Sequence, residues 1–205
     1  MLTAARRARG FSIIELMVVI ALAALLLGLG IPAITSWVGD ARLRSVAESF
    51  TNGLRLAQTT AVTRSHVTAF TVTNATPAFN AAPAANGTNW MVLVDPLSSG
   101  ETMGSTFLIQ SSTEARQHKI SVNSNSQTAV CFNSFGQQTS NLTTTQTSLP
   151  ANSCATPGAD TSPTYFELTR TGSSRKYRVL VYAGGRVRMC DALKTLSTTN
   201  PDGCP

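Results

Sequence analysis

Arg186 and Arg188 stand two residues apart in the run GRVR, residues 185–188, directly after a second glycine. Residues at this spacing in a β-strand lie on the same face, about 7 Å from each other. That distance is close to the separation of successive phosphates along one nucleic-acid strand, and a guanidinium group binds phosphate oxygens through two parallel hydrogen bonds. The pair therefore predicts contacts with a nucleic-acid backbone that are independent of sequence and weakened by salt.

The two arginines belong to a basic C-terminal region. Residues 170–194 include seven Lys and Arg side chains and one acid, Asp191, whereas residues 39–169 include six basic residues and seven acids. The formal net charge of the chain is +6. The expected supporting contacts to nucleic acid are Arg175, Lys176, Arg178 and Lys194. The alternative is a solvated hairpin whose charge aids solubility or pairs with the nearby acids Glu167, Asp191 or Asp202.

Catalytic and metal-binding chemistry find no support in the sequence. The two histidines, His66 and His118, have no acid or cysteine beside them, and no nucleophile motif such as GxSxG is present. The acidic residues form no metal-loop pattern, and no glycine-rich phosphate loop occurs. We therefore expect no enzymatic activity, no cofactor and no metal site.

The four cysteines are expected to form two disulfide bonds. They lack the CxxC spacing of zinc and redox sites, and an even number behind a membrane segment is typical of an oxidising compartment. Of the three possible connectivities we favour Cys131 with Cys154 and Cys190 with Cys204. Closing the loop between the second pair contributes about 3 kcal/mol if it acts through chain entropy.

Glu15 is a second residue that could have a chemical role, because its carboxylate lies inside an apolar run. Residues 11–34 are interrupted only by Ser12, Glu15 and Pro32. As a helix they would be about 36 Å long, enough to cross a hydrocarbon core of roughly 30 Å. The arginines that precede the run place the N-terminus in the cytoplasm. A secretory signal peptide would have a shorter apolar core, followed by a small-residue cleavage site.

A carboxylate in lipid costs about 3 kcal/mol and needs a cationic partner. Cleavage between Gly10 and Phe11 would create an α-amino group four residues before Glu15. In a neighbouring copy, staggered along a shared axis, that amine could meet the carboxylate directly. The alternative is an acid that reaches the membrane edge and stays solvated.

Helical periodicity continues beyond the apolar run and predicts one helix over residues 11–64, about 80 Å long. Its second half has an apolar stripe that should pack on a sheet, formed by Leu43, Val46, Ala47, Phe50, Leu54, Ala57 and Ala61. Eight strands are predicted after it, at 66–73, 90–95, 106–110, 119–122, 128–133, 165–170, 175–182 and 186–190. Tight turns are expected at RTGSSR and AGGR, and extended polar loops at 74–89 and 134–164.

The predicted fold is α+β, with a long N-terminal helix packed on antiparallel β-sheet. We divide the chain into a leader, residues 1–10, a hydrophobic transmembrane and assembly helix, residues 11–38, and a globular domain, residues 39–205.

The segment RGFSIIELMVVIALAALLLGLGIPAI resembles the class III signal of type IV prepilins and type II secretion pseudopilins. That signal has a short basic leader ending in glycine, an aromatic first mature residue, Glu four residues later, and an apolar helix with a proline. The resemblance implies a type IV pilin-like fold. It also implies that prepilin peptidase cuts after Gly10, that Phe11 is N-methylated, and that Glu15 pairs with the terminal amine of a neighbouring subunit during filament assembly.

Residues 50–70, FTNGLRLAQTTAVTRSHVTAF, are similar to the GspH/FimT family block L..AR.EA..R. Gln58 and Thr60 replace its Arg and Glu, and the matching residues are Leu54, Ala57, Ala61 and Arg64. The GRVR run resembles the GRxR motif of FimT-type minor pilins, which is implicated in capturing DNA for natural transformation. By that resemblance Arg186 and Arg188 are the DNA-contacting pair.

The resemblance as a whole implies a minor type IV pilin, most similar to the FimT type, of a Gram-negative bacterium. Such a protein is inserted in the inner membrane with its C-terminal domain in the periplasm, and then joins or primes an extracellular pilus. Its expected partners are prepilin peptidase, other major and minor pilins, and double-stranded DNA bound without sequence preference. The alternatives are a FimU-like minor pilin with a structural role in assembly and a GspH-type pseudopilin of type II secretion.

Overall fold

The structure, a computed structural model, describes residues 10–95, 107–141 and 154–205. The chain divides into two units, one that ends at Val38 and one that comprises Gly39–Pro205. Residues 1–9 of the predicted leader lie outside the described residues.

The helix α1 (Ile13–Arg64) begins two residues later than predicted and ends at the predicted residue. In the first unit its large apolar side chains are exposed, from Ile13 to Leu26. Glu15 lies in its first turn, where a negative charge interacts favourably with the helix dipole. Within the described ranges no helix combines the length and the apolar character that a membrane crossing requires.

The predicted apolar stripe of α1 is confirmed in the second unit. Its members are at most 1% exposed: Leu43, Val46, Ala47, Phe50, Leu54, Ala57 and Ala61. Gly53 also belongs to the packed face, because a Cβ atom there would lie 2.8 Å from the ring of Phe70 and 2.9 Å from that of Trp90. A helix interior normally disfavours glycine, so close approach to the two rings explains its position.

The second unit contains two five-stranded sheets among the described residues. The first has the order β3-β2-β1-β5-β6 and the second the order β10-β9-β8-β7-β4. The strands are antiparallel except for the pair β9 and β10, which is parallel. The bounds in chain order are β1 (Thr68–Thr73), β2 (Asn89–Val94), β3 (Leu108–Ser112), the short helix α2 (Glu114–Gln117), β4 (Ile120–Asn123), β5 (Ala129–Phe132), β6 (Gln138–Thr139), β7 (Thr164–Arg170), β8 (Tyr177–Val181), β9 (Val187–Thr195) and β10 (Gly203–Cys204).

Both sheets bury one face in a core that they share with α1. Its centre is a group of aromatic rings in which Phe50 of α1 contacts Phe70 and Phe166, with ring centroids 5.6 Å and 6.0 Å away. The ring of Trp90 stacks on that of Phe70 at 5.4 Å. Aromatic residues bury large areas and favour such offset and edge contacts, so these rings join the helix to both sheets.

The opposite faces of the sheets are closed by smaller clusters, each with a disulfide. Cys131 and Cys154 are bonded on the first sheet, under the loop that contains Ala81. Cys190 and Cys204 are bonded on the second sheet, beside Leu180 and Tyr182. This is the connectivity favoured from the sequence.

Several predicted boundaries are wrong, and a local turn and contacts between distant residues explain the differences. Strand β8 begins at Tyr177, so Arg175 and Lys176 precede it. The backbone N–H of Arg175 instead donates to the hydroxyl of Ser173, which extends the preceding turn. Strand β9 begins after Arg186 and continues to Thr195, because β10 pairs with its far end. The predicted loop 134–164 contains β6, whose Gln138 N–H donates to the Ala183 carbonyl at 3.0 Å.

Candidate nucleic-acid interface

The turn between β8 and β9 presents the two arginines of the GRVR run. Its geometry is a three-residue loop, Ala183 to Gly185, closed by a hydrogen bond from the Tyr182 N–H to the Arg186 carbonyl at 3.0 Å. Within the loop the Gly185 N–H donates to the Tyr182 carbonyl at 2.8 Å. Gly185 has φ +87°, a left-handed conformation that favours glycine. The first residue of the GRVR run therefore has a conformational role.

The turn is also packed against the rest of the second unit. A side chain at Gly185 would collide with the carbonyl oxygen of Gly136 and with Nε2 of Gln58. The same Gln58 Nε2 donates to the Gly136 carbonyl at 2.8 Å, and the Ala183 carbonyl accepts from Gln138 of β6. These contacts hold the hairpin against α1 and the first sheet.

Arg186 is exposed and its guanidinium lies over the ring of Tyr182, with Cζ 3.9 Å from the ring centroid. Tyr182 itself is 4% exposed and packs in the cluster on the face of the second sheet that points away from α1. A cation–π contact of this kind contributes about 0.5–1 kcal/mol at an exposed site. The charge of Arg186 is therefore held on that outer face.

Arg188 is half-buried on the same face, because its neighbours Val187 and Met189 point into the core. Its Nη2 donates to the carbonyl oxygens of Pro201 and Gly203, both at 3.0 Å. These carbonyls belong to the C-terminal segment that β10 and the Cys190–Cys204 bond fix beside β9. The contacts orient the guanidinium without neutralising it.

The four predicted supporting residues are all engaged in ion pairs. Lys176 and Arg178 share Glu167, at 2.7 Å and 2.6 Å. Arg175 pairs with Asp191 at 3.1 Å, and Lys194 pairs with Asp202 at 2.6 Å. Each pairing was an alternative that the sequence left open.

Two pKa shifts agree with these pairs. Burial alone would raise the pKa of Glu167, but hydrogen bonds from Lys176 and Arg178 together outweigh it and the pKa is lowered. The hydrogen bond from Lys194 lowers the pKa of Asp202. Both acids are therefore ionised at neutral pH and offset the cations beside them.

Arg186 and Arg188 differ from the four predicted supporting residues in this respect. Across the residues that the structure describes, neither has an acidic group within 4.0 Å. The outer face of the second sheet thus has a pair of uncompensated guanidinium groups beside a network of compensated ones. The sequence analysis singled out the two arginines but missed Tyr182, because the contact between its ring and Arg186 depends on the geometry of the turn.

The predicted processing and assembly residues lie at the start of α1 and just before it. Gly10 and Phe11 are exposed and precede α1, with Glu15 in its first turn. No group of three or more His, Cys, Asp and Glu side chains in the described ranges is placed to hold a metal ion.

Comparisons with known proteins locate the chain in a family. The model of the family described as "Type II transport protein GspH" matches residues 46–185. The model described as "Prokaryotic N-terminal methylation motif" matches residues 5–31, which include Gly10, Phe11 and Glu15. The first match ends at Gly185, immediately before Arg186. A search of the curated proteins found no significant match.

Two crystal structures of the type IV minor pilin FimU from Pseudomonas aeruginosa are similar in fold. One, in space group P65, has a TM-score of 0.43 and 11% identity, covering 71% of this chain and 90% of the FimU chain. The other, in space group P21, has a TM-score of 0.45 and 13% identity, covering 72% and 87%.

The family match covers more than half of the 205 residues. It includes most of the buried stripe of α1, the first sheet and strands β4, β7 and β8 of the second sheet, and it ends in the turn at Gly185. The methylation motif precedes it in the same chain. The chain therefore belongs to the GspH family and has the N-terminal motif of type IV pilins and pseudopilins.

Proposed function

We propose that this protein is a minor type IV pilin that binds double-stranded DNA through Arg186 and Arg188. The observation that supports the proposal is the charge distribution on the outer face of the second sheet. There the two arginines lack acidic partners within 4.0 Å among the described residues, whereas Arg175, Lys176, Arg178 and Lys194 are paired. By the resemblance of GRVR to the GRxR motif, this DNA binding would serve natural transformation.

The fixed positions of the two guanidinium groups favour phosphate binding. Ordering a free arginine side chain costs up to about 2 kcal/mol in rotamer entropy. Tyr182 holds one guanidinium and the carbonyls of Pro201 and Gly203 hold the other. Less entropy is then lost when DNA binds, and the resulting contacts are to the backbone and independent of base sequence.

The N-terminal part of the proposal concerns processing and assembly. Residues 11–38 would insert in the inner membrane, prepilin peptidase would cut after Gly10, and Phe11 would be N-methylated. Glu15 would then pair with the terminal amine of a neighbouring pilin in the extracellular filament. N-terminal sequencing of protein from pili is expected to begin at Phe11, and an intact leader or another start would contradict this assignment.

The DNA proposal is tested with Arg186→Ala combined with Arg188→Ala in the full chain, kept in non-ionic detergent. Because each phosphate contact adds about 0.9 to the slope of log affinity against log salt, the double variant should lower that slope by about 2. Fluorescence anisotropy with a duplex of mixed sequence measures the affinity between low and moderate salt. The melting temperature should fall only modestly, because Arg186 loses its contact with Tyr182 and Arg188 loses its hydrogen bonds to Pro201 and Gly203, and circular dichroism at the assay temperature checks that the variant is folded.

A matched control removes the same formal charge elsewhere. Arg42→Ala with Arg44→Ala alters two exposed arginines of α1 and should leave the salt slope nearly unchanged. If the Arg186 and Arg188 variant binds DNA as tightly as the unaltered chain, the DNA proposal fails. The role that then remains is assembly, as a FimU-like minor pilin or a GspH-type pseudopilin.

A further inference from the structure

Phe135 is an aromatic side chain displayed on the surface of the second unit, 83% exposed. It lies in the turn between β5 and β6. That turn is tightly closed, because the Asn133 N–H donates to the Gln137 carbonyl at 2.9 Å and the Gly136 N–H donates to the Asn133 carbonyl at 2.8 Å. The side-chain oxygen of Asn133 also accepts from the N–H groups of Phe135 and Gln137, both at 3.0 Å. The ring is therefore presented by a fixed backbone.

The turn that presents Phe135 touches the turn that presents Arg186. The carbonyl of Gly136 lies against Gly185, and Gln58 of α1 donates to the same carbonyl. Phe135 and Arg186 are each one residue, about 3.8 Å of chain, from this contact. Two steps of about 3.8 Å and the contact itself, added end to end, place their Cα atoms within about 13 Å of each other, close enough for one nucleic-acid strand to reach both side chains.

We propose that Phe135 stacks on unpaired bases of DNA whose backbone is held by Arg186 and Arg188. Cationic groups that follow the backbone, combined with an aromatic face, form the general recognition mode for single strands. In a continuous duplex the bases stack on one another, so few base faces are available for stacking with the Phe135 ring. The site should accordingly prefer single-stranded segments and frayed ends. This inference rests on the proposed DNA-binding function and adds a preference for strand state to it.

The test compares Phe135→Ala with the unaltered full chain in non-ionic detergent. The probes are a single strand of about 30 nucleotides and a closed circular duplex, which has no ends. Loss of one stacking contact should weaken binding of the single strand by about tenfold, with little change for the circular duplex. Phe135→Trp should retain the single-strand affinity, because an indole also stacks.

Leu193→Ala provides the matched control. Leu193 is another large apolar side chain with 62% exposure, and its truncation should leave both affinities unchanged. The inference is overturned if Phe135→Ala binds the single strand as tightly as the unaltered chain does. It is also overturned if Phe135→Ala loses the same affinity for both probes. In either case the proposed function stands if binding of the duplex still depends on Arg186 and Arg188. If the unaltered chain binds neither probe, the proposed function fails and the inference with it.

Discussion

At Glu167 one carboxylate pairs with two cations of the basic region, Lys176 and Arg178. The strand register places Glu167 opposite Arg178, and Lys176 reaches the other carboxylate oxygen. Like-charge neighbours directly across a sheet would be destabilising, whereas this opposite-charge arrangement is favourable. The acid therefore allows several cations to share one face and leaves the free positive charge concentrated at Arg186 and Arg188.

The sequence singled out Arg186 and Arg188 and named Glu167, Asp191 and Asp202 as possible partners of the basic residues, but it could not assign the pairs. Glu167 lies eleven residues before Arg178, and their contact depends on the length of the turn between β7 and β8. Arg188 meets Pro201 and Gly203 only because β10 runs beside β9. Phe135 was missed because exposure of an aromatic residue in a polar loop has no signal in local periodicity.

At the scale of elements, α1 is attached to the turn between β7 and β8 by Asp40. One carboxylate oxygen accepts from the Ser173 hydroxyl and from the Ser174 N–H, and the other accepts from the Ser174 hydroxyl at 2.8 Å. The hydrogen bond from Ser173 is the main cause of the lowered pKa of Asp40. The ionised carboxylate is therefore favoured in the folded state.

Asp40→Asn should lower the free energy of unfolding by about 0.5–1 kcal/mol at pH 7, because the substituted amide accepts these hydrogen bonds less well. A lowered folded pKa stabilises the fold fully above the pKa of the unfolded chain, about 3.9, and the contribution is lost as pH falls through the folded pKa. The difference between variant and unaltered chain should thus shrink toward pH 2. Urea unfolding followed by near-ultraviolet circular dichroism measures it.

Glu48→Gln is the control for Asp40, since Glu48 is an exposed acid of α1 that pairs within the helix with Arg44. Such exposed pairs contribute little to stability and are screened by salt. A variant at Asp40 that unfolds at the same urea concentration as the unaltered chain at pH 7 would show that the attachment adds no stability.

Element prediction was reliable where periodicity extends over several turns or a strand is buried on both faces. The stripe of α1 and the fully buried strands β1 and β2 belong to this class. The two-residue strands β6 and β10 and the four-residue α2 were missed. Strand β6 pairs with β5 and strand β10 pairs with β9, but a segment of two residues is too short to show an alternation of apolar and polar side chains.

At the scale of the whole molecule, the two disulfides close similar loops but serve different parts of the structure. The Cys131–Cys154 bond on the first sheet joins residues that are 23 positions apart in sequence. The Cys190–Cys204 bond on the second sheet joins residues that are 14 positions apart. Chain-entropy estimates of their contributions are about 3.5 and about 3 kcal/mol. Similar effects on stability are therefore expected, while only the second bond fixes the segment that holds Arg188.

Paired Cys→Ser variants separate these roles. Replacing Cys190 and Cys204 should reduce duplex affinity and lower the salt slope by up to about 1, because Arg188 loses its fixed carbonyl partners. Replacing Cys131 and Cys154 should lower the melting temperature about as much as replacing Cys190 and Cys204 does. It should leave the slope of log affinity against log salt unchanged. Affinities are measured at a temperature where circular dichroism shows both variants folded. If the two variants lose affinity equally, the C-terminal segment has no specific part in positioning Arg188, and its contacts matter for stability alone.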